Sequence, residues 1–288
     1  MLASALPGIL PPLSKEETME VSDIYSVSGM LKDNQPLIET RPFVAPHHSA
    51  TIASISGGGI IPRPGMVSLA HRGILFLDEM PEFKREVLDC LRQPMEDHEI
   101  RITRNLASYT YPSRFLLAGA MNPCPCGFYP DLNKCHCTFP MIRRYQQKIS
   151  GPVLDRIDLF VTVAGTPIES LLQKGHETSS EEIRKNVMRA VDIQKERFKG
   201  TSVVFNADMG ISEIEKYCVL GKSEQDFMKE VYEKMQLSVR GYHRILRVAR
   251  TIADLGGRSD ITGNELMEAV GFRNMEGGIP KDEDMAGS

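Results

Sequence analysis

The sequence predicts an α/β domain built on a parallel sheet, followed by an all-helical domain. Three observations carry this. Gly73-Ile74-Leu75-Phe76-Leu77-Asp78-Glu79 is an apolar run of strand length ending in two adjacent carboxylates, the composition of a strand buried on both faces. Phe115 to Ala120 and Leu159 to Val163 are two further runs of that kind. Beyond Gly165-Thr166-Pro167, which closes the α/β part, the pattern turns helical, with cap signals.

In chain order, Leu2 to Leu6 reads as a helix tail ending at Pro7-Gly8. Ser14 to Met30 carries helical spacing until Gln35-Pro36 breaks it. Pro42 to His47 reads as a short strand. Ser56-Gly57-Gly58-Gly59 and Pro62-Arg63-Pro64-Gly65 form a glycine- and proline-rich insert before the carboxylate strand. Phe83, Val87, Leu88 and Leu91 make a helical stripe over Glu82 to Leu91. Glu99 to Thr103 and Ser108 to Tyr111 alternate as two arms of a hairpin. Thr178-Ser179-Ser180-Glu181 fits a capping box opening a helix to about Lys199. Glu224 to Leu237 and Tyr242 to Leu255 follow as helices. Thr262-Gly263-Asn264-Glu265 is a second capping box. Residues 276–288 have the composition of a disordered tail.

The 288 residues, 41% hydrophobic and 25% charged, suffice for one large domain or two smaller ones with a real core. No run approaches the roughly 20 apolar residues that span a bilayer. Met1 to Leu10 is short, uncharged and followed by Pro11-Pro12, which does not read as a secretory signal. The expectation is a cytoplasmic protein. A net charge of −4 gives no global attraction to nucleic acid, so binding of that kind needs a local basic strip.

Two acids at the carboxyl end of a buried strand sit where open α/β sheets place ligands. Asp78 would hold Mg²⁺ and Glu79 would orient a water, as nucleoside-triphosphate hydrolysis requires. The plain alternative is an acidic strand end entering a loop. Four of six cysteines crowd into Cys124-Pro125-Cys126 and Cys135-His136-Cys137, eight residues apart. In a cytosolic chain four such thiolates read as tetrahedral, structural Zn²⁺ before they read as disulfides. A half-filled site with His136 as a ligand, or no metal, are the alternatives. Cys90 and Cys218 fall in helical patterns and read as small hydrophobes. Gly221-Lys222-Ser223 matches the end of a phosphate-binding loop, but position 216 is Lys and the tripeptide follows a helix, so it reads as a decoy.

Several blocks together resemble the magnesium-chelatase-like AAA+ ATPases of the ComM/YifB type, over roughly residues 1 to 272. They are Arg41-Pro42-Phe43 to His47-His48, Gly57 to Gly65, Ser68-Leu69-Ala70-His71-Arg72-Gly73 through Glu79, and Asn122-Pro123-Cys124-Pro125-Cys126-Gly127. Gly151-Pro152-Val153-Leu154-Asp155-Arg156-Ile157-Asp158-Leu159 and Tyr242-His243-Arg244-Ile245-Leu246-Arg247-Val248-Ala249-Arg250 complete the set. The resemblance implies a partial AAA+ core over 1–164, carrying a helix-2 insert, a pre-sensor hairpin and the cysteine insert at 124–137. An α-helical lid over 165–275 follows. Family members carry GxxxxGK[ST] directly before the segment similar to Met1-Leu2-Ala3, so the expectation is a truncated piece or a mis-started reading frame, missing the first strand and inactive alone as an ATPase.

The resemblance also assigns roles. Asp78 and Glu79 resemble the Walker B pair, Asn122 resembles sensor 1, and Arg156 resembles an arginine finger offered to a neighbouring subunit. Arg240 resembles sensor 2, with Arg244 as the alternative. The implied cofactors are ATP and Mg²⁺, and the implied assembly is a hexameric ring. Arg63, Arg101 and Arg104, on the insert and the hairpin, would meet DNA phosphates. Without the resemblance, Asn122 is a turn residue before Pro123, Arg156 a salt-bridged surface group, Arg240 and Arg244 basic helix residues, and the hairpin a solvated one. The implied function is a DNA helicase or branch-migration motor acting in recombination during natural transformation. The alternatives are a magnesium-chelatase-type ATPase subunit driving a protein partner, and a non-catalytic assembly module.

Overall fold

The computed structural model describes residues 2–31, 34, 36–59, 62–104, 107–163 and 178–273, without the side chains of Arg104 and Ala107. Gly165-Thr166-Pro167 and the 276–288 tail lie outside the described residues. The chain divides into two compact units between Ile157 and Asp158.

The first unit opens with α1 (Leu2–Ile9) and α2 (Lys15–Val27). Ser14 caps α2: its hydroxyl accepts from the Glu17 N–H at 3.1 Å, and the Ser14 N–H donates back to Glu17. Strand β1 (Phe43–Val44) is shorter than the Pro42–His47 reading. Then come α3 (Ile52–Ser56), the ribbon β2 (Gly57–Gly58) and β3 (Arg63–Pro64), α4 (Met66–Leu69) and β4 (Ile74–Leu77). Next are α5 (Arg85–Cys90), α6 (Arg92–Asp97), the hairpin β5 (Glu99–Arg104) and β6 (Ala107–Pro112), and β7 (Leu116–Gly119). Helices α7 (Phe139–Gln146) and α8 (Gly151–Leu154) close the unit.

The sheet is parallel with order β1-β4-β7. Strand β4 is central, and Ile74, Leu75 and Leu77 are fully buried, as a strand covered on both faces requires. Gly73 stands before it for a steric reason: a Cβ there would lie 2.1 Å from the Pro42 carbonyl oxygen, which accepts the Ile74 N–H at 2.8 Å. Leu75 and Leu77 pack with Ile55, Val67, Phe83, Val87, Leu88, Leu91, Ile149 and Val153 into one core. The stripe predicted over Glu82 to Leu91 is buried, but only Arg85–Cys90 is α-helical. Pro81 sits in a 3₁₀ turn at Met80–Glu82, and Lys84 is extended, so the helix starts late. The ribbon meets the hairpin: the Tyr111 hydroxyl donates to the Pro62 carbonyl at 2.8 Å. Gly57 has φ +95°, and a Cβ on it would lie 2.4 Å from the Arg63 carbonyl oxygen.

One predicted strand is corrected. Leu159 to Val163 has no strand structure; Leu159, Val161 and Val163 are exposed, and the Phe160 N–H donates to the Phe272 carbonyl at 2.7 Å. A strand exists only through a partner ladder, and β1, β4 and β7 make up the parallel sheet among the described residues without it.

The second unit is helical: α9 (Ser180–Arg197), α10 (Ile211–Tyr217), α11 (Lys222–Lys234), α12 (Val239–Leu255) and α13 (Gly263–Gly271). The cap of α9 is Ser179, accepting from the Glu182 N–H at 3.2 Å, one residue later than the pattern Thr178 to Glu181 suggested. Glu265 accepts the Thr262 N–H at 2.8 Å at the start of α13. Met209, Met228, Ile245, Ala249 and Leu266 form its core. In the last turn of α12, Asp254 is 1% exposed and accepts from Arg197, Arg250 and Asn206. Burial pushes the thiols of Cys90 and Cys218 up to about 11, which fits their reading as inert apolar groups.

Candidate nucleotide and metal sites

The register of β4 on β7 builds the first site. Leu77 lies opposite Gly119, and the Met80 N–H donates to the Ala120 carbonyl at 2.9 Å. The chain therefore delivers Asp78-Glu79 and Ala120-Met121-Asn122 side by side at the carboxyl end of the sheet. Asp78 and Glu79 are both exposed. Asp78 Oδ1 accepts the Glu79 N–H at 3.0 Å. Glu79 takes a left-handed backbone conformation, φ 50° and ψ 45°, a strained geometry for a residue with a Cβ.

Glu79 and Asn122 line one open cleft of about 1010 Å³. Its other wall carries Met141, Arg144 and Tyr145 of α7 and Lys148 just beyond. Lys148 pairs with Glu82 at 3.0 Å. Burial raises the Tyr145 phenol above its ordinary value.

His48 is a site residue the sequence reading left without a role. Its Nδ1 lies 3.5 Å from Glu79 Oε2, and its ring lies 4.0 Å from that of His47. No sequence signal marked it: β1 pairs with β4 in the folded sheet, so the loop after β1 opens beside the loop after β4.

Arg156 is not among the residues lining the cleft. Its guanidinium is 11% exposed, bonded to Glu96 at 2.7 Å and donating to the Pro152 carbonyl at 2.6 Å. This carboxylate partner stands on α6, which sequence proximity did not suggest. Arg240 and Arg244 belong to the first half of α12 in the second unit. Arg240 is exposed, and Arg244 pairs with Asp158 at 2.8 Å. Gly221-Lys222-Ser223 caps and begins α11, between two helices.

Arg63 is exposed on β3. Arg101 is exposed on β5, with its guanidinium on Glu99 at 2.5 Å; Glu99 holds its pKa up, through the hydrogen bond first. Arg104 ends β5, and its side chain lies outside the described residues.

The second site is the cysteine cluster. The Sγ atoms of Cys124, Cys126, Cys135 and Cys137 all lie within 4.8 Å of one another. Cys124 to Cys126 is 3.3 Å, Cys126 to Cys135 is 3.6 Å and Cys124 to Cys135 is 3.8 Å. A tetrahedron with metal–sulfur bonds of about 2.3 Å has sulfur–sulfur edges of about 3.8 Å, so the donor set fits one tetrahedral ion. Backbone N–H groups, that of Phe128 foremost, hold the Cys126 thiol down to about 6. Against the pull of the Cys137 N–H, burial and the neighbouring sulfurs push Cys135 up to about 12, and burial and those sulfurs also raise Cys137. Four sulfurs this close share negative charge poorly without a cation among them. The Tyr129 N–H donates to Cys124 Sγ at 3.4 Å. Gly127 turns with φ +82°, and the Asn133 N–H closes on Asp131 at 3.1 Å. His136 is exposed and outside the four-residue group.

A parallel sheet that brings an acidic pair and an asparagine to one end, followed by a helical unit, is the frame of a magnesium-chelatase-like AAA+ protein. A family model described as magnesium chelatase, subunit ChlI, matches residues 1–171, and one described as its C-terminal part matches residues 177–273. The chain belongs to this family. It is 44% identical over 277 residues to the "Uncharacterized protein YifB" of Salmonella typhimurium, covering 96% of this chain and 54% of that protein. It is 45% identical over 279 residues to the competence protein ComM of Haemophilus influenzae, covering 96% and 53%. A magnesium-chelatase 38 kDa subunit of Acidiphilium rubrum is 35% identical over 60 residues, 21% of this chain and 17% of that protein. The chain thus spans about half the length of the two longer matches. Among the described residues, no helix is long and apolar enough to cross a membrane.

Proposed function

We propose that the chain is part of an ATP-dependent ring motor with DNA helicase or branch-migration activity, in the cytoplasm. The observation that carries the reading is the shared cleft of Glu79 and Asn122 at the carboxyl end of the sheet. Glu79 would polarise the attacking water there and Asn122 would orient it, while Asp78, next to Glu79 but outside the cleft lining, would hold Mg²⁺. His48 would hold the Glu79 carboxylate in place between turnovers. Arg156 would serve a neighbouring protomer once released from Glu96, which makes the working assembly a ring, a hexamer by family analogy. Arg240 or Arg244 would reach the nucleotide from the helical lid, with the core taken as 1–164 and the lid as 165–275. The joined ribbon and hairpin would track DNA through Arg63, Arg101 and Arg104. The competence name of one relative favours DNA as the partner. The chelatase description of the family model favours a second reading, an ATPase subunit acting on a protein partner. The four cysteines would hold a structural Zn²⁺, with no open position for catalysis.

Forked-DNA binding, followed by fluorescence anisotropy from about 50 to 200 mM salt, separates the readings. The DNA reading expects affinity to fall steeply, by roughly tenfold or more for several phosphate contacts. Absent or salt-insensitive binding refutes it. For the motor itself, ATP turnover by the assembled protein should vanish in Glu79→Gln. Turnover that survives the substitution refutes the assignment of Glu79.

A further inference from the structure

We propose that metal binding at the Cys124, Cys126, Cys135 and Cys137 cluster positions Asn122 and α7 against each other, and so sets the geometry of the Glu79 cleft; the inference rests on the zinc reading above. The cluster lies at the one stretch of chain that joins the two walls. Asn122 and Pro125 line one side, Met141, Arg144 and Tyr145 the other. Between them, from Pro123 to Thr138, the chain has neither helix nor strand.

That stretch has little else to hold it. Cys124 is its one buried residue, while Phe128 is 52% and Leu132 71% exposed. Its backbone is tied by turns: Gly127 N–H to Cys124, Asp131 N–H to Phe128 and Cys135 N–H to Asp131. Across the two walls, the Gln146 side chain donates to the Pro123 carbonyl at 2.9 Å. Such a bond gains little net over the water bonds it replaces, while each backbone residue that is ordered loses conformational entropy. The Asn122 N–H also meets the Tyr145 hydroxyl. Turn bonds and these two ties hold some 15 residues loosely, and a four-coordinate metal would fix them.

The turn that carries the cluster runs beside Asn122. A Cβ on Gly127, the turn residue between the two cysteine pairs, would lie 3.9 Å from Asn122 Cγ. Cys124 follows Asn122 by two residues, and Thr138, the residue after Cys137, is the N-cap of α7. Pulling the sulfurs together thus fixes both the asparagine and the helix that carries Arg144 and Tyr145. In this reading the metal is a positioning device for the nucleotide cleft, acting through Asn122, and not only a local staple.

The test uses the 288-residue chain and needs no ATP turnover. Metal content is measured by mass spectrometry, and zinc is then stripped with a chelator. The side-chain amide signals of Asn122 and Gln146, assigned with Asn122→Asp and Gln146→Glu, are followed by ¹⁵N NMR. Hydrogen exchange is read over α7 and β4. We expect one zinc per chain. On stripping, both amide signals should move, and protection over residues 139–146 should fall about tenfold or more. Protection of Leu75 and Leu77 should hold, and Zn²⁺ but not Mg²⁺ should restore the original signals. A chain without metal refutes the zinc reading beneath the inference. Bound zinc whose loss leaves Asn122, Gln146 and α7 unchanged refutes the inference alone. Loss of β4 protection on stripping shows a global folding role and also refutes it.

Discussion

Replacing Asp254 by Asn removes one negative charge from the interior of the helical unit while keeping the side chain's shape. The carboxylate takes four hydrogen bonds: two from Arg197, one from Arg250 at 3.2 Å and one from Asn206 at 2.8 Å. The Arg197 and Arg250 side chains are only 12% and 2% exposed. An amide offers one acceptor oxygen and turns two donors toward guanidinium groups that can only donate. Breaking a buried charge pair from one side costs about 3–5 kcal/mol, because the remaining charge is left uncompensated. Single domains are stable by about 5–15 kcal/mol. With an unfolding entropy of about 2.1 cal/mol/K per residue, a unit spanning Asp158–Met275 shifts its Tm by about 4 °C per kcal/mol, so it should melt roughly 12–20 °C lower. The assay is hydrogen exchange over α9 and α12 together with a thermal scan. The loss should appear in the second unit's transition. A loss below about 1 kcal/mol would show that the Asp254 charge does not organise Arg197 and Arg250, and would refute the argument.

Three further outcomes are expected. The buried His71 ring accepts the Arg114 N–H on Nδ1 at 3.0 Å and faces Glu20 through Nε2 at 3.1 Å, so it is neutral with its proton on Nε2. Burial, opposed by Glu20, holds its pKa below the ordinary 6.5. The unfolded chain then binds the proton at higher pH than the folded one. The stability from this histidine is full above about pH 6.5 and is lost as pH falls toward the folded value. Urea midpoints measured from about pH 7.5 to 5 should fall less steeply in His71→Gln; equal slopes would contradict the assignment. Gly73→Ala should push β1 off β4, since the added Cβ meets the Pro42 oxygen at 2.1 Å. A cost of about 1–3 kcal/mol or more by urea unfolding is expected, and no cost would put the register of Phe43 on Ile74 in doubt. Glu99→Gln frees the Arg101 guanidinium, so DNA affinity should rise severalfold and the salt slope should steepen by about one phosphate contact. An unchanged slope would remove Arg101 from the DNA surface.

Several features were legible because their causes are local. The apolar run Ile74–Leu77 is the buried central strand, and the two acids leave its carboxyl end. Alternation placed the hairpin, and the cysteine spacing placed four sulfurs that meet within 4.8 Å. Ser or Thr followed three residues later by Glu located the starts of α9 and α13 to within one residue. Each rests on a period or a cap that reads only a few neighbours.

What the residues alone determined, then, is which segments carry apolar faces, where helices begin and which groups hold charge or sulfur. The tertiary structure decided which segments meet. Leu159 to Val163 has strand composition but no ladder, because pairing depends on a neighbouring strand and not on the run itself. His48 reaches Glu79, and Glu96 holds Arg156, across separations of 31 and 60 residues that no local pattern encodes. Those contacts follow from the register of parallel strands and the packing of α6, which are properties of the assembled core.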